Sequence, residues 1–128
     1  MAEMSNYLEN ALINVTLRAT SYTAPAAVYV GLYTTDPTDA NTGTEVSGGS
    51  YARTAVTMGA PSDGVSTNSG AVTFPTATGT WGTVGWIGIL DASTSGNLLY
   101  HTPLDASKSI TAGDIFTIAI GNLSVTLG

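Results

Sequence analysis

The stretch Val28-Tyr29-Val30-Gly31-Leu32-Tyr33 decides how this chain reads. Its period is two. Val28, Val30 and Leu32 face one side and Tyr29 and Tyr33 the other, the alternation of a strand with one face in a core. Turn-forming residues follow, from Asp36-Pro37 to Thr42-Gly43 and again at Gly48-Gly49. The pattern then recurs down the chain. Residues 51–58 read as a strand with Val56 and Met58 inward, 61–70 as a loop, and 71–74 as a short strand stopped by Pro75. Residues 83–90 alternate again, with Val84 and Trp86 on one face and Ile87 and Ile89 on the opposite one. A hairpin turn over 92–97, opened by Asp91, leads into strands at 97–104 and 115–120. These two are joined through Lys108-Ser109-Ile110 and a turn at Ala112-Gly113-Asp114. Gly121-Asn122 turns the chain into Leu123, Val125 and Leu127.

Upstream of these strands lies one helical signal. Asn6 reads as an N-cap with Glu9 completing a capping box, and Leu8, Leu12, Val15 and Ala19 recur at helical spacing. Ala24-Pro25 forbids continuation. A helix over about residues 6–19 followed by strands over about 26–128, with no helices between them, predicts antiparallel pairing. The expected fold is therefore mainly β: one domain over 1–128, an antiparallel β-sandwich or jelly-roll-like barrel with one N-terminal α-helix.

The inventory of reactive groups is short. In 128 residues there are three basic side chains (Arg18, Arg53, Lys108), one histidine (His101) and no cysteine. Catalysis draws on positioned acids, bases, nucleophiles or metal ligands, so the expectation is a protein that is not an enzyme and needs no cofactor. Charged residues make up 9%, far below the usual quarter; the surface is left to Ser, Thr, Asn and Gly, as in proteins packed against neighbours. The net charge of -6 argues against nucleic acid. No apolar run nears the ~20 residues of a membrane span, and Met1-Ala2-Glu3-Met4 lacks the basic and apolar regions of a signal peptide. Synthesis in a cytoplasm is expected.

Several features invite a chemical reading. Asp36, Asp39 and Glu45 offer oxygens to a calcium ion, but without the spacing of a dedicated loop, and turn formation accounts for them more simply. His101 lacks a visible nucleophile and orienting acid, which favours a solvated or hydrogen-bonded strand histidine. Arg53 would pair with an acid in the chain or across an interface. Trp81, Trp86 and the tyrosines would form either a sugar-stacking platform or core volume; the apolar flanks of Trp86 favour core, and Trp81 stays open.

Two sets of segments carry a resemblance. Ser21-Tyr22-Thr23-Ala24-Pro25, Val28 to Pro37 and Gly43 to Arg53 form the first half. Phe74-Pro75-Thr76-Ala77-Thr78, Trp81-Gly82-Thr83-Val84, Gly88-Ile89-Leu90-Asp91 and Gly96 to His101 form the second. Together they resemble a family of small tailed-bacteriophage virion proteins, labelled tail-fibre-like and related to capsid cement or decoration proteins. The resemblance implies a virion structural protein without a catalytic motif. The first expectation is a capsid decoration protein that bridges and stabilises subunits of the major capsid protein, as a homo-oligomer such as a trimer. The alternative is a tail-fibre or head-fibre component touching host glycans. Neither nucleic acid nor membrane is an expected partner. Leu8, Leu12 and Val15 of the helix, Asp36, Asp39 and Glu45 of the acidic loop, and Trp81 are the expected interface residues.

Overall fold

Two long strands organise the molecule, Gly82–Leu90 and Leu98–Ile110, joined by the hairpin turn that Asp91 closes by accepting from the Asn97 amide at 2.7 Å. In the computed structural model, which describes residues 2–127, the chain runs β1 (Glu3–Met4), α1 (Asn6–Leu17), β2 (Val28–Tyr33), β3 (Thr54–Val56), β4 (Val65–Thr67), β5 (Val72–Thr73), β6 (Gly82–Leu90), β7 (Leu98–Ile110), β8 (Thr117–Ile118) and β9 (Ser124–Thr126). The fold is mainly β, with antiparallel pairing and one helix near the N-terminus, as expected. The principal sheet has the order β1-β7-β6-β2-β3, and two ribbons, β4-β9 and β5-β8, supply the second layer. A strand at Val65–Thr67 stands where the sequence reads as loop. It pairs with β9 from Val65↔Thr126 to Thr67↔Ser124.

The core fills the space between the sheet and the ribbons. Val30 and Leu32 of β2 and Val84, Ile87 and Ile89 of β6 meet Val72, Phe74, Phe116 and Ile118. Phe74 packs edge-on to Phe116 and stacks on Tyr51, whose ring meets Trp81 edge-on. Val84 and Ile87 share this face, although strict alternation would separate them; between Val84 and Trp86 the pairing of β6 with β7 shifts register, β6 advancing two residues while β7 advances five. Such an irregularity interrupts the simple alternation of faces at that point. Trp86, expected in the core, is half-buried, whereas Trp81, left open by the sequence, is 5% exposed and donates its indole N–H to the Gly49 carbonyl at 2.8 Å.

On the opposite face Gly31 and Gly88 lie directly across from each other. A Cβ on Gly88 would sit 2.7 Å from Leu98 Cδ1 and 3.0 Å from Tyr33 Cε1. The bare backbone is what lets these side chains cover the strands. α1 lies against β7 on its Leu8 face. Its N-cap is Ser5, one residue before the expected Asn6; the Ser5 hydroxyl accepts from the Leu8 amide at 3.2 Å and donates to the Leu98 carbonyl. The helix stops at Leu17 and not near residue 19, because Ala19 turns left-handed (φ 53°) and the Thr20 amide returns to the Asn14 carbonyl at 3.0 Å. Among the described residues, β1 pairs with β7 only through Glu3↔His101 and Met4↔Tyr100, so the rest of this long strand keeps an open outer edge.

Candidate functional site

The loop between β2 and β3 builds two polar centres on the glycine face. The first grows from Glu45. β3 covers the edge of β2 only as far as Val30; beyond it the segment 44–46 takes over, the Val46 amide bonding the Leu32 carbonyl at 2.9 Å. The Glu45 carboxylate thereby comes to the open space beside Gly31, where an added Cβ would lie 3.0 Å from its Oε2. It accepts from the Tyr51 hydroxyl at 2.6 Å and from Arg53 Nε and Nη2 at 2.9 and 2.8 Å. Arg53 Nη1 then donates to the carbonyls of Ala92 and Ser95, clamping the β6–β7 hairpin. The fork geometry of the guanidinium suits such a bidentate carboxylate contact.

These groups also set one another's acidity. The hydrogen bond to Glu45 raises the pKa of Arg53 above its ordinary value. Burial, reinforced by the hydrogen bond to Glu45, pushes the Tyr51 hydroxyl far up. Burial and the neighbouring Glu45 charge push Tyr33 up to about 12. Arg53 thus pairs within the chain, and Glu45, expected at an interface, is committed to an internal clamp.

The second centre surrounds His101, which is 4% exposed. Its Nε2 lies 2.7 Å from Asp39 Oδ1 and 3.9 Å from Glu3 Oε2; its Nδ1 lies 3.9 Å from Asp36 Oδ1. Three segments bring these groups together. Glu3 faces His101 across the β1–β7 ladder, and the Asn6 amide holds the Asp39 carbonyl at 2.9 Å. Asp36 also accepts from the Thr38 amide at 2.9 Å, the Asx turn that its Asp-Pro context suggests. Asp36 and Asp39 therefore gather at His101 while Glu45 turns to Arg53, and the three acids of the loop do not form one calcium site.

The remaining expected residues scatter. Leu8 is buried, Leu12 half-buried and Val15 41% exposed, so the three do not make one open face. Trp81, closed into the core, presents no stacking surface. The helix exposes other apolar side chains: Leu17 at 79%, Ile13 at 53% and Tyr7 at 41%. Sequence reading passed over Ile13 and Leu17 because they fall off the Leu8-Leu12-Val15 stripe. It passed over Glu3 because only strand pairing brings it to His101. A cleft of about 500 Å³ opens between the outer part of β7 and the segment 116–124, lined by Leu104, Lys108, Phe116, Ile118 and Leu123 among others.

Over nearly its whole length the chain is similar to tailed-phage virion structural proteins. The family model described as "Podophage GP4 fiber I protein gp80" matches residues 3–126, and the chain belongs to that family. No curated protein matches it. A virion-associated location follows from the family.

Proposed function

We propose that this chain is a non-enzymatic structural component of the phage fibre, working by association with further copies of itself and with neighbouring virion proteins. The observation that carries the reading is α1: a 12-residue helix whose only buried residue is Leu8 and which leaves Ile13, Val15 and Leu17 open to solvent. A helix with apolar side chains on more than one side finds its stability between two surfaces. One surface here is β7; the other is a partner. The family description favours a fibre over the capsid-decoration role. Host-glycan contact through Trp81 loses its support, since that ring is buried.

The geometry around His101 supports a role without catalysis. Both His101 nitrogens face carboxylates, and none is aimed at a hydroxyl to be activated. The carboxylates of Glu3 and Asp39 come within 4.8 Å, but neither described cleft is lined by both, as a glycan-cleaving pair would require.

The deciding experiment is a density map of the intact particle. Copies along the fibres establish the role, while copies at capsid symmetry axes restore the decoration reading. Leu17→Asp in the isolated protein supplies a second test: the fold should persist and incorporation into particles should fall.

A further inference from the structure

We propose that Glu3, Asp39 and His101 form a binding site for one divalent first-row transition cation of the zinc type, tying the N-terminal strand to the β2–β3 loop and to β7. The candidate ligand atoms are Glu3 Oε2, Asp39 Oδ1 and His101 Nε2, all within 4.8 Å of one another. One imidazole nitrogen with two carboxylate oxygens is a donor set that zinc accepts, with bonds of roughly 2.0–2.2 Å.

Three observations lift this cluster above a chance gathering of surface acids. The imidazole is 4% exposed, and the Nε2 contacts are with the same two carboxylates that would share the ion. Nδ1 lies 3.9 Å from Asp36 Oδ1, too far for a hydrogen bond but on the side from which a carboxylate can orient a metal-bound histidine. The charge is also uncompensated. Arg53 is spent on Glu45, and no described Lys or Arg pairs with Glu3, Asp36 or Asp39. Three carboxylates converge on a single imidazole, which balances one charge at most.

The site is half-built. His101 is fixed in β7, while the side chains of Glu3 and Asp39 are 71% and 48% exposed and free to close on an ion. Coordination would open the 2.7 Å contact between Asp39 and His101 to roughly 3.3 Å, the separation of neighbouring ligands around tetrahedral zinc.

The test uses the untagged chain, freed of metal by a chelator and titrated calorimetrically with zinc chloride, with calcium chloride in parallel. One equivalent of zinc should bind and raise the melting temperature. Calcium should bind at least about tenfold more weakly, since it prefers oxygen ligands to imidazole. Glu3→Gln should weaken zinc binding at least about tenfold while leaving the metal-free melting temperature unchanged; Asp39→Asn should weaken it as much. No zinc uptake, equal affinity for calcium, or undiminished binding by Glu3→Gln overturns the proposal. Glu3 is exposed, so this variant remains informative even where Asp39→Asn loosens the loop.

Discussion

On one face of the five-stranded sheet, Val30, Leu32, Val84, Ile87 and Ile89 meet Phe74 and Phe116 in one buried cluster. On the other, Gly31 and Gly88 stand opposite each other, and the room they leave is taken by Tyr33, Leu98 and the Glu45 carboxylate. The two faces belong to the same strands. What differs is how much each depends on distant partners. The apolar face is held by area removed from water, which tolerates imprecision in direction. The glycine face is held by charged hydrogen bonds whose loss leaves a buried group unpaired. The difference teaches that strand periodicity fixes the first face, while only the folded loop assembles the second.

The comparison can be broken most forcefully on the apolar side. Phe74→Ala removes a ring that is 2% exposed and touches both Tyr51 and Phe116, and should cost about 3–5 kcal/mol in urea-unfolding stability. Glu45→Gln strands the Arg53 side chain, itself 10% exposed, and should cost about 2 kcal/mol. If Glu45→Gln unfolds at the wild-type denaturant midpoint, the clamp contributes nothing. Gly31→Ala presses a methyl group to 3.0 Å from Glu45 Oε2 and Leu90 Cδ1, and should cost about 1–2 kcal/mol. A double-mutant cycle with Glu45→Gln should then show less than the summed loss, because the two changes disturb one cluster.

The gentlest probe of the glycine face is alkali. Tyr33 titrates at about 12 in the fold, above the ordinary value of 10.0, because burial and Glu45 disfavour its charged form. A raised value in the folded state means that its contribution is fully present below pH about 10 and is lost as pH rises through about 12. Melting temperature should therefore fall across that window, in step with tyrosinate absorbance, while Phe74→Ala should lower the curve without changing its shape.

The sequence is legible where side chains report on their own strand. Val30 and Leu32, the Asp91 turn and Leu123 with Val125 are read correctly from alternation and turn chemistry. Legibility ends where a partner decides. The Val65–Thr67 strand hides in a Ser- and Gly-rich stretch and exists because β9 pairs with it. The pairing irregularity near Trp86 leaves that ring only half-buried, and nothing local to 81–86 announces it. His101 reads as a solvated or hydrogen-bonded strand histidine; it is hydrogen-bonded and buried, not solvated. Its partners could not be named, because Asp39 is 62 residues away and Glu3 arrives only through the ladder between β1 and β7.

The outer edge of β7 bears on how such a protein survives crowding. Past His101, no described strand pairs with that side of Leu98–Ile110. An open strand edge is a template on which another chain can grow a continuous sheet. This one carries Pro103, which offers no N–H, and then Asp105 and Lys108, all exposed. A missing donor and two charges on such an edge work against its lateral pairing with another strand.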